Sequence, residues 1–133
     1  MSVGLLLITH NQIGAELLGT ATRMLGACPL ATTTIAVTER DDPDLLRAEA
    51  RRCIDALDDG AGVLVMTDLF GATPANVAAC LGDQDNVRIL SGINLPMLVR
   101  VLNYHRLGLA ALADKALSGG HDGVFACPAA RPH

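Results

Sequence analysis

Apolar and polar positions along this chain fall into blocks that switch between two periods. Val3-Gly4-Leu5-Leu6-Leu7-Ile8-Thr9 is a nearly continuous apolar run, the pattern of a parallel strand covered on both faces. Ile13, Leu17, Leu18, Ala21 and Leu25 then recur at helical spacing, with Gly26 placed as a stop. Thr33 to Val37 is rich in β-branched residues and predicts a second strand. Asp42-Pro43 offers an N-cap followed by a residue suited to the first helical position. The helix it opens runs to about Asp58, buries Leu46, Ala50, Cys53, Ile54 and Leu57, and has Gly60 for its C′ position. Gly62 to Thr67 predicts a third strand, and Thr73-Pro74 a short helix capped by Thr73 and ending near Gly82. Val87 to Leu90 predicts a fourth strand. Asn94-Leu95-Pro96 opens a helix reaching about Tyr104, and a last helix spans Leu109 to Ser118, closed by Gly119-Gly120. Val124 to Cys127 reads as a short edge strand.

Strands alternating with helices across short connections predict an α/β three-layer sandwich with right-handed crossovers. The central sheet is expected to be mostly parallel, with about four parallel strands plus the C-terminal edge strand. One domain over residues 1–127 and a disordered tail over 128–133 complete the expected organisation.

Composition narrows the chemistry. The chain has 133 residues, half of them hydrophobic, enough for a core without disulfides or metal. Its aromatic residues are Phe70, Tyr104 and Phe125, so the core must be aliphatic and base stacking has few platforms. A formal charge of −4 also argues against a nucleic-acid partner, which needs a basic face. The acidic stretch from Glu39 to Asp59 is interleaved with Arg40, Arg47, Arg51 and Arg52 and reads as a solvated helix face. No apolar run approaches a membrane span, and the N-terminus lacks the basic segment of a signal peptide. Cys28, Cys53, Cys80 and Cys127 form no CxxC pair and fit the reduced thiols of a cytoplasmic protein.

Ligands of an open parallel sheet bind beyond the carboxyl ends of its strands, so the residues following each predicted strand carry the functional weight. Thr9, His10, Asn11 and Gln12 follow the first, Thr38 and Glu39 the second, Asp68 to Thr73 the third, and Ser91 to Asn94 the fourth. With the first and third strands as neighbours, about 4.8 Å apart, Asp68 comes within reach of His10. A carboxylate on one ring nitrogen fixes the tautomer and leaves the other nitrogen's lone pair free, which makes His10 a candidate nucleophile for phosphorus. Gly71 permits a tight turn. The turn leads to a helix start where Thr73 and the free N–H groups of Gly71 and Ala72 would receive phosphate oxygens. Thr9, Phe70, Ser91, Gly92 and Asn94 are candidate walls, although Ser91 to Leu98 reads equally well as architecture. His105, His121 and His133 lack any partner spacing for a metal. No metal or cofactor is expected, and no second general acid or Arg clamp follows a strand as a hydrolase would need.

Three segments in this order carry a family resemblance: Leu7-Ile8-Thr9-His10, Asp68-Leu69-Phe70-Gly71-Ala72-Thr73-Pro74-Ala75-Asn76 and Gly92-Ile93-Asn94-Leu95-Pro96-Met97-Leu98. Over roughly residues 2 to 127 the chain resembles the mannose-type (mannose/fructose/sorbose) enzyme IIA of the bacterial phosphoenolpyruvate-dependent phosphotransferase system. The resemblance implies a phosphotransferase component that takes a phosphoryl group from phospho-HPr onto His10 and hands it to a IIB domain. Asp68 would hydrogen-bond the active histidine at Nδ1, phosphorylation would fall on Nε2, and Thr73 would be the hydroxyl beside the phosphate. It further implies a cytoplasmic homodimer exchanging the edge strand at Val124 to Cys127, and a membrane contact made only indirectly through a permease. Ala72 departs from the pattern, since the family commonly has a second glycine there. No IIB segment follows the domain in this sequence, so the resemblance leaves two uses open. One is sugar uptake; the other is a regulatory module whose phosphorylation state a partner protein reads.

Overall fold

The computed structural model describes residues 1–130. Four strands, β1 (Gly4–His10), β2 (Thr32–Val37), β3 (Val63–Thr67) and β4 (Val87–Ser91), form a parallel sheet in the order β2-β1-β3-β4. Helices α1 (Ile13–Leu25), α2 (Pro43–Leu57), α3 (Thr73–Ala79), α4 (Leu95–Asn103) and α5 (Leu109–Asp122) cover it. The chain runs from β1 outward to β2, then returns past β1 to β3 and β4. Right-handed crossovers in opposite directions must place their helices on opposite faces, and they do. The period-two alternation of β1 serves both layers. Leu5 and Leu7 pack with Ala21 of α1, Leu98 and Leu102 of α4, and Leu112 and Ala116 of α5. Leu6 and Ile8 pack on the other face with Leu46, Ala50 and Ile54 of α2 and Val77 and Ala78 of α3.

Local signals set several boundaries as expected. Gly26 caps α1 with φ +82°, and the Asp42 side chain accepts the Asp44 N–H at the start of α2. Other boundaries differ. Ala72, not Thr73, holds the N-cap position of α3, which puts Thr73 at the first helical residue. At the end of α2 the chain turns extended at Asp58, so Gly60 lies in the following loop. There Asp58 Oδ1 accepts the N–H groups of Gly60 and Gly62 at 2.9 and 3.0 Å, and its Oδ2 accepts the Asn86 amide. One carboxylate thus ties the end of α2 to the entries of β3 and β4.

These bonds, the one from Asn86 first, hold the Asp58 carboxyl below its ordinary value of 3.8. A carboxyl depressed in the folded state stabilises the fold above its unfolded pKa and loses that contribution as pH falls through the folded one. Asp58→Ala is expected to cost about 1 kcal/mol at pH 7, solvent screening included. The gap between variant and wild type should close below about pH 4. Urea unfolding at several pH values measures this, and a pH-independent gap would contradict it.

Gly119 and Gly120 do not close α5; the helix continues through both, and both are buried. A Cβ on Gly119 would lie 2.6 Å from Arg100 Cβ, so the missing side chain lets α4 and α5 approach. The contact energy of that approach outweighs the helix-breaking tendency of glycine, about 1 kcal/mol relative to alanine. Gly119→Ala is therefore expected to lower stability by a net amount of about 1–2 kcal/mol. A melting temperature at or above wild type would refute this packing role.

The predicted strand at Val124 to Cys127 is absent: residues 124–130 carry no regular structure. The α5 helix runs on to Asp122, so only Gly123 separates it from Val124, and the strand expected here is one exchanged with a second copy. Residues 128–130 of the predicted tail are likewise irregular, and 131–133 of that tail lie outside the described residues. Among the described residues no helix is long and apolar enough to cross a membrane, and the four cysteines are free.

Candidate functional site

The site forms where the sheet changes direction, at the carboxyl ends of β1, β2 and β3. The β1–β3 register pairs Ile8 with Thr67, so His10 and Asp68 leave neighbouring strands together. Asp68 Oδ2 accepts two bonds from His10: the backbone N–H at 3.1 Å and ring Nδ1 at 2.9 Å. An ionised carboxylate can only accept, which assigns the proton to Nδ1 and leaves the Nε2 lone pair free. The pair is asymmetric in exposure. The histidine side chain is 41% exposed and the aspartate 11%, so the carboxylate orients from below while the ring presents its other edge outward. Asp68 Oδ1 is buried with no hydrogen-bond partner among the described residues.

Beside the ring lies a cavity of about 340 Å³ lined by His10, Asn11, Val37, Thr38, Glu39 and Thr73. Its rim is held by Asp41, whose Oδ2 accepts both the N–H and the hydroxyl of Thr38. The Asn11 N–H donates to Val37 O at 2.9 Å, closing the floor between β1 and β2. Gly71 adopts φ +87°, a left-handed turn open to glycine, which swings the chain round so that Thr73 reaches the cavity. Because Ala72 occupies the cap position, the Thr73 hydroxyl is not used in capping.

The other expected site residues are placed differently. Thr9 is buried, and its hydroxyl accepts the Gly14 N–H at 2.8 Å; it anchors the turn under His10 and walls nothing. Phe70 is 87% exposed and does not line the cavity. The Ala72 N–H donates to Leu69 O within the turn at 3.3 Å, so it is not free for an anion, and neither Gly71 nor Ala72 lines the cavity. Ser91, Gly92 and Asn94 line a separate cavity with Met97 and His121. Ser91 shares a hydroxyl hydrogen bond with Thr67. Asn94 caps α4 by accepting the Met97 N–H and donates to Gly120 O.

Asn11, Thr38 and Glu39 are lining residues that the candidate set lacked. The strand-end rule had put them in position. The missing information was that β2 flanks β1 on the side away from β3, which brings the end of β2 against His10. Among the described residues no three His, Cys, Asp or Glu side chains are grouped as a metal ion would require.

Comparison with known proteins agrees with this architecture. The mannose/sorbose-specific IIA subunit of the phosphotransferase system from Enterococcus faecalis superposes with a TM-score of 0.86 at 24% identity, covering all of both chains. A phosphotransferase IIA protein associated with the fucose utilization operon of Streptococcus pneumoniae gives 0.81 at 23%, covering 95% of this chain and 96% of that one. In sequence, the mannose-specific EIIAB component of Escherichia coli strain K12 is 28% identical over 103 residues, 77% of this chain. The chain spans about a third, 32%, of that relative's length. The family described as the phosphotransferase system fructose IIA component, EIIA-man, matches residues 4–117. The fold, the order of the motifs and this match together show that the chain belongs to the mannose-type IIA family of the phosphotransferase system.

Proposed function

We propose that this protein is a phosphoryl carrier that accepts its group from phospho-HPr on Nε2 of His10 and passes it to a IIB domain. The observation that carries the reading is the 2.9 Å bond between His10 Nδ1 and a largely enclosed, acceptor-only Asp68, which leaves Nε2 free beside a polar cavity. Nε2 attacks the phosphorus held on the donor's imidazole, and its N–P bond forms as the donor's breaks. The donor ring, protonated on its second nitrogen, keeps the bonding electron pair and leaves as neutral imidazole. His10 becomes a phosphoimidazolium whose Nδ1 proton rests on Asp68. One positive charge thus passes from ring to ring, no proton changes owner, and the carboxylate meets the new charge without reorganising. Thr73 donates its hydroxyl to the phosphoryl oxygens. Transfer to IIB is the same step with His10 as the leaving ring.

Residues 1–127 act as one cytoplasmic unit in this reading, touching a membrane only through a permease complex, and work as a homodimer. Among the described residues the β4 edge has no neighbouring strand, and Val124 and Phe125 are 75% and 68% exposed. An extended segment from a second copy would cover both features.

The direct test is incubation with enzyme I, HPr and phosphoenolpyruvate, followed by intact mass. One acid-labile phosphoryl adduct is expected, and it should disappear when a purified IIB domain is added. A chain that takes up no phosphoryl group from phospho-HPr would overturn the reading.

A further inference from the structure

Asn11 has a positive φ of 48°, and among the described residues it is the one non-glycine to do so. Side chains with a Cβ are disfavoured in this region, and glycine is the residue that occupies it without strain. Asparagine tolerates it better than most, and here it brings something glycine lacks, a carboxamide on a residue that lines the cavity beside the histidine ring.

The neighbouring donors narrow what that carboxamide faces. The hydroxyl and N–H of Thr38 are both taken by Asp41. Val37 is apolar, and the Glu39 carboxylate can only accept. The Asn11 backbone N–H is engaged by Val37 O. Neither the Thr73 hydroxyl nor the Asn11 amide has a hydrogen-bond partner among the described residues, and no Lys or Arg lines the cavity. A dianionic phosphoryl group arriving on His10 would therefore meet two free side-chain donors, on two residues that line the same cavity.

We propose that the Asn11 carboxamide donates to the phosphoryl group carried on His10 and, with Thr73, sets how tightly that group is held. The inference rests on the carrier reading above. Asn11 is a phosphoryl-binding residue that acts on the equilibrium between donor and carrier as well as on the lifetime of the phosphohistidine. Charge-assisted hydrogen bonds are roughly twice as strong as neutral ones, but Asn11 is exposed, so a moderate effect is expected.

The backbone supplies the test. Glycine suits φ +48° better than asparagine does, so Asn11→Gly removes the carboxamide and relaxes the turn. The unphosphorylated variant should melt no lower than wild type. Wild type and Asn11→Gly are each loaded by limiting phospho-HPr. The fraction of phosphoryl group on HPr against carrier at equilibrium is read by intact mass, and spontaneous hydrolysis is followed after HPr is removed. Asn11→Gly is expected to shift the partition toward HPr and to speed hydrolysis, each by about 3- to 10-fold. Asn11→Asp, which sets a second carboxylate against the phosphoryl group, should shift the partition further. Equal partition and lifetime in wild type and Asn11→Gly would overturn the inference while leaving the carrier reading intact. Wild type that takes no label would overturn both.

Discussion

His10→Ala should abolish phosphoryl uptake altogether, with intact mass showing only unmodified chain after incubation with enzyme I, HPr and phosphoenolpyruvate. The reason is that His10 is the one imidazole lining the cavity. The other side chains there are an amide, two hydroxyls, a carboxylate and the apolar Val37, and an unactivated hydroxyl does not displace an imidazole from phosphorus at neutral pH. The substitution should leave the fold in place. The histidine side chain is 41% exposed, and its backbone N–H bond to Asp68 survives truncation. A phosphoryl adduct that persists in His10→Ala would move the acceptor elsewhere and undo the mechanism.

Asp68→Asn is expected to slow phosphoryl transfer by about 10²–10⁴-fold with a modest change in stability. Both His10 groups meet the same atom, Oδ2: an amide oxygen placed there keeps both bonds and the strand ends joined, whereas an amide nitrogen placed there loses the His10 N–H. Two things change at the ring. The amide nitrogen can donate to Nδ1, which favours the tautomer with its proton on Nε2 and removes the attacking lone pair. The negative charge that meets the phosphoimidazolium is also lost, at a position where the side chain is only 11% exposed and solvent cannot replace it. Single-turnover transfer from phospho-HPr measures the rate, and nitrogen chemical shifts of the His10 ring report the tautomer. A variant with wild-type rate and an Nδ1-protonated ring would show that the carboxylate is dispensable. Asp68→Ala should transfer more slowly still and also melt lower, because it leaves the part-buried His10 N–H without its acceptor.

The His10–Asp68 pair was legible before any coordinates because each residue closes an apolar run. A polar side chain that ends a buried strand must emerge at the sheet's rim, and parallel connections carry successive strands to the same rim. The caps at Asp42 and Asn94 were legible for a similar reason, since each bonds an N–H two or three residues along the chain. Ser91 and Asn94 were harder. Their chemistry is that of a site wall, yet Thr67 and the α4 and α5 backbones claim their hydrogen bonds. A sequence does not show which of two polar partners lies nearer.

Sequence alone determined the parallel strands, the helices between them and the pairing of His10 with Asp68. Backbone geometry imposes periods of two and 3.6 on neighbouring residues, and those periods can be read locally. Only the tertiary structure decided that β2 flanks β1, bringing Asn11 and Glu39 into one cavity with His10. It also turned Thr9 inward beneath the helix and carried α5 through two glycines against α4. Each of these outcomes depends on which surfaces meet across the sheet and between helices. That choice is made by packing between residues far apart in the chain, and no local period records it.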